Sequence, residues 1–144
     1  MRASLLLSTI LLLACGAAGA EGSRDFGDLV IHYSLMPTTA LTPEVARSHA
    51  ITRSRNRQLL TVSVLEKTPD GLGKPIAARI EASATNLNGQ LRTISLREVR
   101  EGGAIYYLGE LRLTGEDTFD FELRVDARGG EPRVIRFRRQ LFPD

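Results

Sequence analysis

Thr118-Phe119-Asp120-Phe121-Glu122-Leu123-Arg124-Val125-Asp126 is the stretch that decides how this chain is read. Phe119, Phe121, Leu123 and Val125 alternate with Asp120, Glu122 and Arg124. A period of two places one set of side chains on a core and the other in water only if the backbone is a β-strand. Working outward, Ile105–Leu113 and Arg133–Leu141 follow the same rule, and Asp28–Leu35, Leu59–Glu66, Ile76–Thr85 and Gln90–Val99 also read as strands. The connectors are turn clusters: Thr68-Pro69-Asp70-Gly71, Asn88-Gly89, Glu101-Gly102-Gly103, Thr114-Gly115-Glu116-Asp117 and Arg128-Gly129-Gly130. Asn88-Gly89 suits a type I′ hairpin, because both residues tolerate positive φ.

Short strands punctuated in this way predict an all-β chain, an immunoglobulin-like antiparallel β-sandwich of about seven strands. With one Cys and no Trp, the Cys–Trp–Cys core of antibody domains is absent, so only the architecture is implied. Thr42-Pro43-Glu44-Val45-Ala46-Arg47 departs from the pattern. An N-cap Thr, a Pro at the first helical position and an acidic first turn predict one short helix, Pro43 to His49, covering one end of the sandwich. The alternation also slips inside Gln90–Val99, where Ile94 and Leu96 share one face and Val99 falls on the other. A β-bulge near Arg97 would account for it.

The first 20 residues read as an export signal. Arg2 is a positive n-region, Leu5–Leu13 an apolar run, and Ala18-Gly19-Ala20 a signal-peptidase site. That run is too short to span a bilayer, and none like it follows, so no transmembrane helix is expected. The expectation is a signal peptide at 1–20 and a single domain at 21–144, periplasmic or secreted after cleavage following Ala20. Leu12-Leu13-Ala14-Cys15 also satisfies a loose lipobox, in which Cys15 would be acylated and tether the domain to a membrane. The chain has 42% hydrophobic and 25% charged residues and a formal charge of +2. Losing the leader removes one cation, Arg2, which leaves the domain near neutrality and argues against nucleic acid as a partner.

Little in the sequence promises catalysis. The mature domain has no cysteine and no G-x-S-x-G elbow, and no acidic pair stands out by spacing, so no enzyme and no cofactor are expected, the alternative being a hydrolase with no recognisable motif. His32 and Met36 stand at i and i+4 on one strand, and His49 ends the helix. Imidazole and thioether ligands suit copper, so these three form an alternative metal site, set against a hydrogen-bonded histidine and a packed methionine. Of 19 basic residues only Lys67 and Lys74 are lysines. Arg53, Arg55 and Arg57 alternate, as do Arg136 and Arg138. Such forks bind carboxylate or phosphate, and they also serve as solvated faces and surface ion pairs. Arg97-Glu98 and Tyr106 lie beside an apolar strand and suggest a polar patch. The expected binding surface is therefore Arg53, Asn56, Arg97, Glu98 and Tyr106, facing an envelope protein or an anionic envelope component.

Leu87-Asn88-Gly89-Gln90 and the run from Leu96-Arg97-Glu98-Val99-Arg100-Glu101 through Gly102-Gly103-Ala104-Ile105-Tyr106-Tyr107 resemble a known bacterial family, domain of unknown function 4426. Phe26-Gly27-Asp28, His32-Tyr33, Pro43-Glu44-Val45-Ala46 and Ile51-Thr52-Arg53-Ser54-Arg55-Asn56-Arg57 extend the likeness over essentially the whole mature chain. The resemblance implies an exported proteobacterial β-sandwich whose leader is cut ahead of the Phe-Gly-Asp region. It supplies no catalytic residue. The expected role is a non-catalytic binding or interaction module of the cell envelope.

Overall fold

The computed structural model describes residues 20–144, with side chains from residue 22. The expected leader as far as residue 19, Cys15 included, lies outside the described residues. Two sheets are built from β1 (Ala20–Asp25), β2 (Leu29–Pro37), β3 (Arg57–Glu66), β4 (Lys74–Pro75), β5 (Arg79–Asn86), β6 (Leu91–Ile94), β7 (Arg97–Glu101), β8 (Ala104–Arg112), β9 (Asp117–Asp126) and β10 (Arg133–Leu141). Sheet A runs β1-β2-β3-β8-β7, with β4 added against β3, and sheet B runs β10-β9-β5-β6. Every paired neighbour is antiparallel. Without β1 and β4 the orders become β2-β3-β8-β7 and β10-β9-β5-β6, which is the ABED and GFCC′ arrangement of immunoglobulin domains. The sandwich expected from alternation is the one found.

The alternating residues of β9 lie in the middle of the core, where Phe119, Phe121, Leu123 and Val125 are at most 1% exposed. Facing them from sheet A are Ile31 and Leu35 of β2 and Leu60, Val62 and Val64 of β3. Aromatic stacking continues across the gap. Phe121 lies on Phe137 with ring centroids 4.9 Å apart, and Phe137 on Tyr33 at 4.7 Å.

Three expectations are corrected. Gln90–Val99 is not one bulged strand. It is β6 in sheet B and β7 in sheet A, and the chain crosses between the sheets at Ser95-Leu96. The slipped alternation is therefore a change of sheet, which resets which side faces inward. Gly109 of β8 makes room for the crossing, because a Cβ there would stand 2.6 Å from Leu96 Cδ2 and 2.7 Å from Ile94 Cγ2. At Asn88-Gly89 only Gly89 has positive φ (+78°), and its amide donates to the Asn86 carbonyl at 3.0 Å. This is a type I turn closed by a left-handed glycine rather than a type I′ turn. The Asn86 side chain holds it by accepting from the Asn88 and Gln90 amides at 3.1 and 2.9 Å.

Helix α1 (Pro43–Ser48) forms where it was expected, with the Thr42 hydroxyl accepting from the Val45 amide at 3.3 Å. It does not cover an end of the sandwich. It lies on the outward face of sheet A, where Ala46 and Ile51 pack with Leu59 and Leu108 into a second, smaller core that Met36, Leu41 and Val99 border. The helix stops in a Schellman motif. Ile51 donates to the Ala46 carbonyl at 2.8 Å and Ala50 to that of Arg47 at 3.2 Å, with Ala50 in the left-handed region at φ +53°.

Candidate functional site

Antiparallel register fixes which residues share the outward face of sheet A. His32 is paired with Ser63, Ser34 with Thr61 and Met36 with Leu59, and Thr61 in turn is paired with Leu108. On β7, Arg97 is paired with Leu108 and Val99 with Tyr106. Helix α1 covers the Met36, Leu59 and Leu108 end of this face. The rest stays open. There Ser34, Thr61 and Ser63 form a floor, with His32 on one side and Tyr106 on the other, around a cavity of about 270 Å³. His32 also lines an adjoining cavity of about 350 Å³, formed between Val30, Leu65-Glu66-Lys67 at the end of β3 and the Thr68–Gly73 loop. The two make one trough across the open half of the sheet. It is the candidate functional site.

His32, Ser34, Thr61, Ser63 and Tyr106 are all carried by strands, which holds this part of the trough rigid. Leu60, Val62 and Val64 face the core, so the residues between them, Thr61 and Ser63, face outward, where they are half-buried. His32 and Tyr106 are exposed. Sequence reasoning singled out His32 and Tyr106 but missed Ser34, Thr61 and Ser63. The signal for the last two was present as hydroxyl residues alternating with Val62 and Val64, but nothing in the chain order placed them against β2 or β8.

The expected binding residues do not form one surface. Arg53 donates to the Thr39 carbonyl at 3.2 Å, and Asn56 accepts from the Ser54 hydroxyl at 2.6 Å. Both belong to the connection that leads into β3. Arg97 donates to the His49 carbonyl and so fastens β7 to the end of α1. Glu98 points to the other side of β7, where it pairs with Arg100 at 2.5 Å and receives the Tyr107 hydroxyl at 3.4 Å. Of the five, only Tyr106 lines the trough.

Of these arginine runs Arg57, Arg136 and Arg138 are likewise engaged. Arg57 reaches Glu110 at 3.5 Å. On the outward face of sheet B, Arg136 pairs with Glu122 at 3.0 Å. Arg138 binds both oxygens of Asp120, at 2.7 and 2.9 Å, and holds that carboxyl below its ordinary pKa. These are cross-strand pairs on a solvated face.

The imidazole and thioether groups are spread out. Met36 belongs to the small core under α1. His49 lies 3.6 Å from Glu101 of β7. His32 stands on β2, three strands from β7, or about 14 Å across the sheet. Among the described residues no three His, Cys, Asp or Glu side chains converge on a metal position.

The displaced carboxylates are also peripheral. Lys67 holds Asp25 below its ordinary pKa, Arg133 does so for Asp28, and hydrogen bonds from Thr68 and the Leu72 amide do so for Asp70. Tyr107 is raised, chiefly by burial.

Comparison with known proteins agrees with the architecture. The crystal structure of a family protein from Pseudomonas aeruginosa superposes with a TM-score of 0.75 at 33% identity, over 86% of this chain and 96% of that one. FetP of a uropathogenic Escherichia coli strain, recombinantly expressed in the periplasm, superposes at 0.61 with 8% identity, over 86% and 96% of the two chains. A copper-bound variant of FetP gives 0.60 at 8% identity, over 85% and 96%. At that identity the FetP likeness concerns the fold alone. No curated protein matches the chain. The family model "Domain of unknown function (DUF4426)" matches residues 23–144, the Pseudomonas protein is of the same family, and the chain belongs to it.

Proposed function

We propose that this chain is an exported, non-catalytic binding module of the bacterial cell envelope, and that it binds through the trough on the outward face of sheet A. One observation carries the reading. Helix α1 seals one half of that face with a small core of its own and leaves the other half open, with polar side chains on rigid strands. Fixed groups on a scaffold lose little freedom when a partner docks, which favours binding.

Export is supported by Arg2, the apolar run Leu5–Leu13 and Ala18-Gly19-Ala20. β1 begins at Ala20, so a cut after that residue leaves the strand from Glu21 onward on the mature chain. Acylation at Cys15 would instead tether the same domain to a membrane.

None of the displaced carboxylates is set up as a general acid. Asp25, Asp28, Asp70 and Asp120 are all lowered, each by a neighbour that stabilises the charged form, whereas a general acid needs its carboxyl raised. No cofactor enters this reading. The copper of the FetP variant is not carried to this chain, because Met36 is packed into the small core under α1 and His32 stands three strands from β7, against which His49 lies.

Photo-cross-linking in cells tests the site. A photoreactive residue at position 106 should trap an envelope component, and one at position 136, on the outward face of sheet B, should not. Equal trapping from both positions, or none from 106, removes the trough as the binding face.

A further inference from the structure

We propose that the trough is a saccharide-binding face that takes an uncharged stretch of glycan; this rests on the binding-module reading above. The argument is chemical complementarity. Ser34, Thr61 and Ser63 present hydroxyls that both donate and accept, and the imidazole of His32 adds two ring nitrogens beside them. A sugar ring carries the same two-way hydroxyls around its rim, so such a floor can match it without any fixed charge. Tyr106, 36% exposed, adds an apolar ring beside that floor, with a phenol at its tip. A pyranose has an apolar face of C–H bonds to set against such a ring.

Charge points the same way. Among the described residues, the lining of this part of the trough contains no carboxylate, ammonium or guanidinium group. Glu21 stands opposite Ser34 on the β1 edge, and Glu66 and Lys67 line only the adjoining cavity. The guanidinium nearest in register, Arg97, is committed to the His49 carbonyl, and Arg57 to Glu110. A phosphate or carboxylate entering here would leave water without a counter-charge, which makes an anion the poorer occupant. Dimensions agree as well. Tyr106 stands two strands from β2, about 10 Å away, and successive outward residues on a strand are about 7 Å apart. That footprint suits one or two sugar rings lying flat on the sheet.

The test is an NMR titration of the processed, 15N-labelled protein with three uncharged oligosaccharides, chitotetraose, cellotetraose and maltotetraose, and separately with inorganic phosphate. Saturable shifts are expected with at least one sugar, centred on the amides of His32, Ser34, Thr61, Ser63 and Tyr106. Tyr106→Ala should weaken that binding about tenfold or more, and Tyr106→Phe should keep most of it. Because Tyr106 is exposed, the spectra of both variants away from the trough should stay unchanged, which separates lost binding from lost folding.

The proposal is overturned by the absence of saturable shifts with all three sugars, by sugar binding that Tyr106→Ala leaves intact, or by phosphate binding at the same residues. Should the sugars fail while cross-links from position 106 persist, the saccharide inference falls and the binding-module reading stands. Should both fail, both fall.

Discussion

The hydroxyl of Tyr107, on β8, accepts the Ala78 amide hydrogen at 2.8 Å, and so pins the connection that leaves sheet A to a strand of sheet A as the chain turns toward β5. Tyr107 is 5% exposed, and its hydroxyl also donates to Glu98 on β7 at 3.4 Å. One phenol thus ties the connection ahead of β5 to both strands of the β7–β8 hairpin.

Tyr107→Phe removes the acceptor while keeping the ring. The Ala78 amide loses its partner, and a loss of about 1–2 kcal/mol is expected in urea unfolding, with the m-value unchanged. The pH sign is also defined. Because the folded pKa of Tyr107 is raised above 10.0, its contribution is fully present below that pH. It is lost as pH rises further, since the unfolded chain ionises first. Tyr107→Phe should therefore flatten the alkaline limb of the stability curve, and an unaltered limb would refute the assignment.

Gly22 of β1 lies beneath the Tyr33 ring, where a Cβ would come within 2.4 Å of Cζ and the hydroxyl oxygen. The ring cannot yield freely, because it is stacked on Phe137. Gly22→Ala should cost about 1–3 kcal/mol, the usual penalty for overpacking. In a Tyr33→Ala background most of that penalty should vanish. A double-mutant cycle from thermal unfolding reads this coupling, and additive effects would disprove the contact.

Ala50 is a non-glycine residue held at φ +53°. Left-handed backbone costs an L-residue about 1–2 kcal/mol, and glycine escapes most of it, at an entropic cost of about 0.5–1 kcal/mol. Ala50→Gly should raise the Tm by a few degrees, and the β-branched Ala50→Val should lower it. The reverse order in a melting series would show that the Schellman motif does not form.

Acid should weaken the fold through exposed pairs. Asp25, Asp28 and Asp120 lie below their ordinary pKa of 3.8 because of Lys67, Arg133 and Arg138. Their contributions are present above pH 3.8 and are lost as pH falls through the lower folded values. Asp120→Asn should make the acid limb shallower and reduce its response to salt, which screens exposed pairs. Urea titrations across acid pH at low and high salt measure both effects.

Period-two alternation in β9, β8 and β10 was legible in the sequence because each of those strands buries one face, and burial writes its period directly into the residue types. β1 left no such mark. It is an edge strand whose inward residue at Gly22 must be small to admit Tyr33, so Ala20–Asp25 carries no apolar pattern. β4, only two residues long, is too short to show a period. The break between β6 and β7 was visible as a slip at Leu96 but not interpretable, since a bulge and a change of sheet both reset alternation.

The site was harder to read, because chain order lacks the pairing register. Arg53, Arg97 and Glu98 are polar residues in turn-rich or charged stretches, which is how binding residues look. The fold instead uses Arg53 and Arg97 on main-chain carbonyls and Glu98 on Arg100 and Tyr107. By itself the sequence determined an antiparallel sandwich of this family with one capped helix, because patterning, capping and turn chemistry act over a few residues. Only the tertiary structure decided that α1 lies on a sheet face rather than an end, and that Ser34, Thr61 and Ser63 meet His32 and Tyr106 in the half it leaves uncovered. Those contacts join β2, β3 and β8, and their alignment is set by hydrogen bonds between segments that the chain itself keeps far apart.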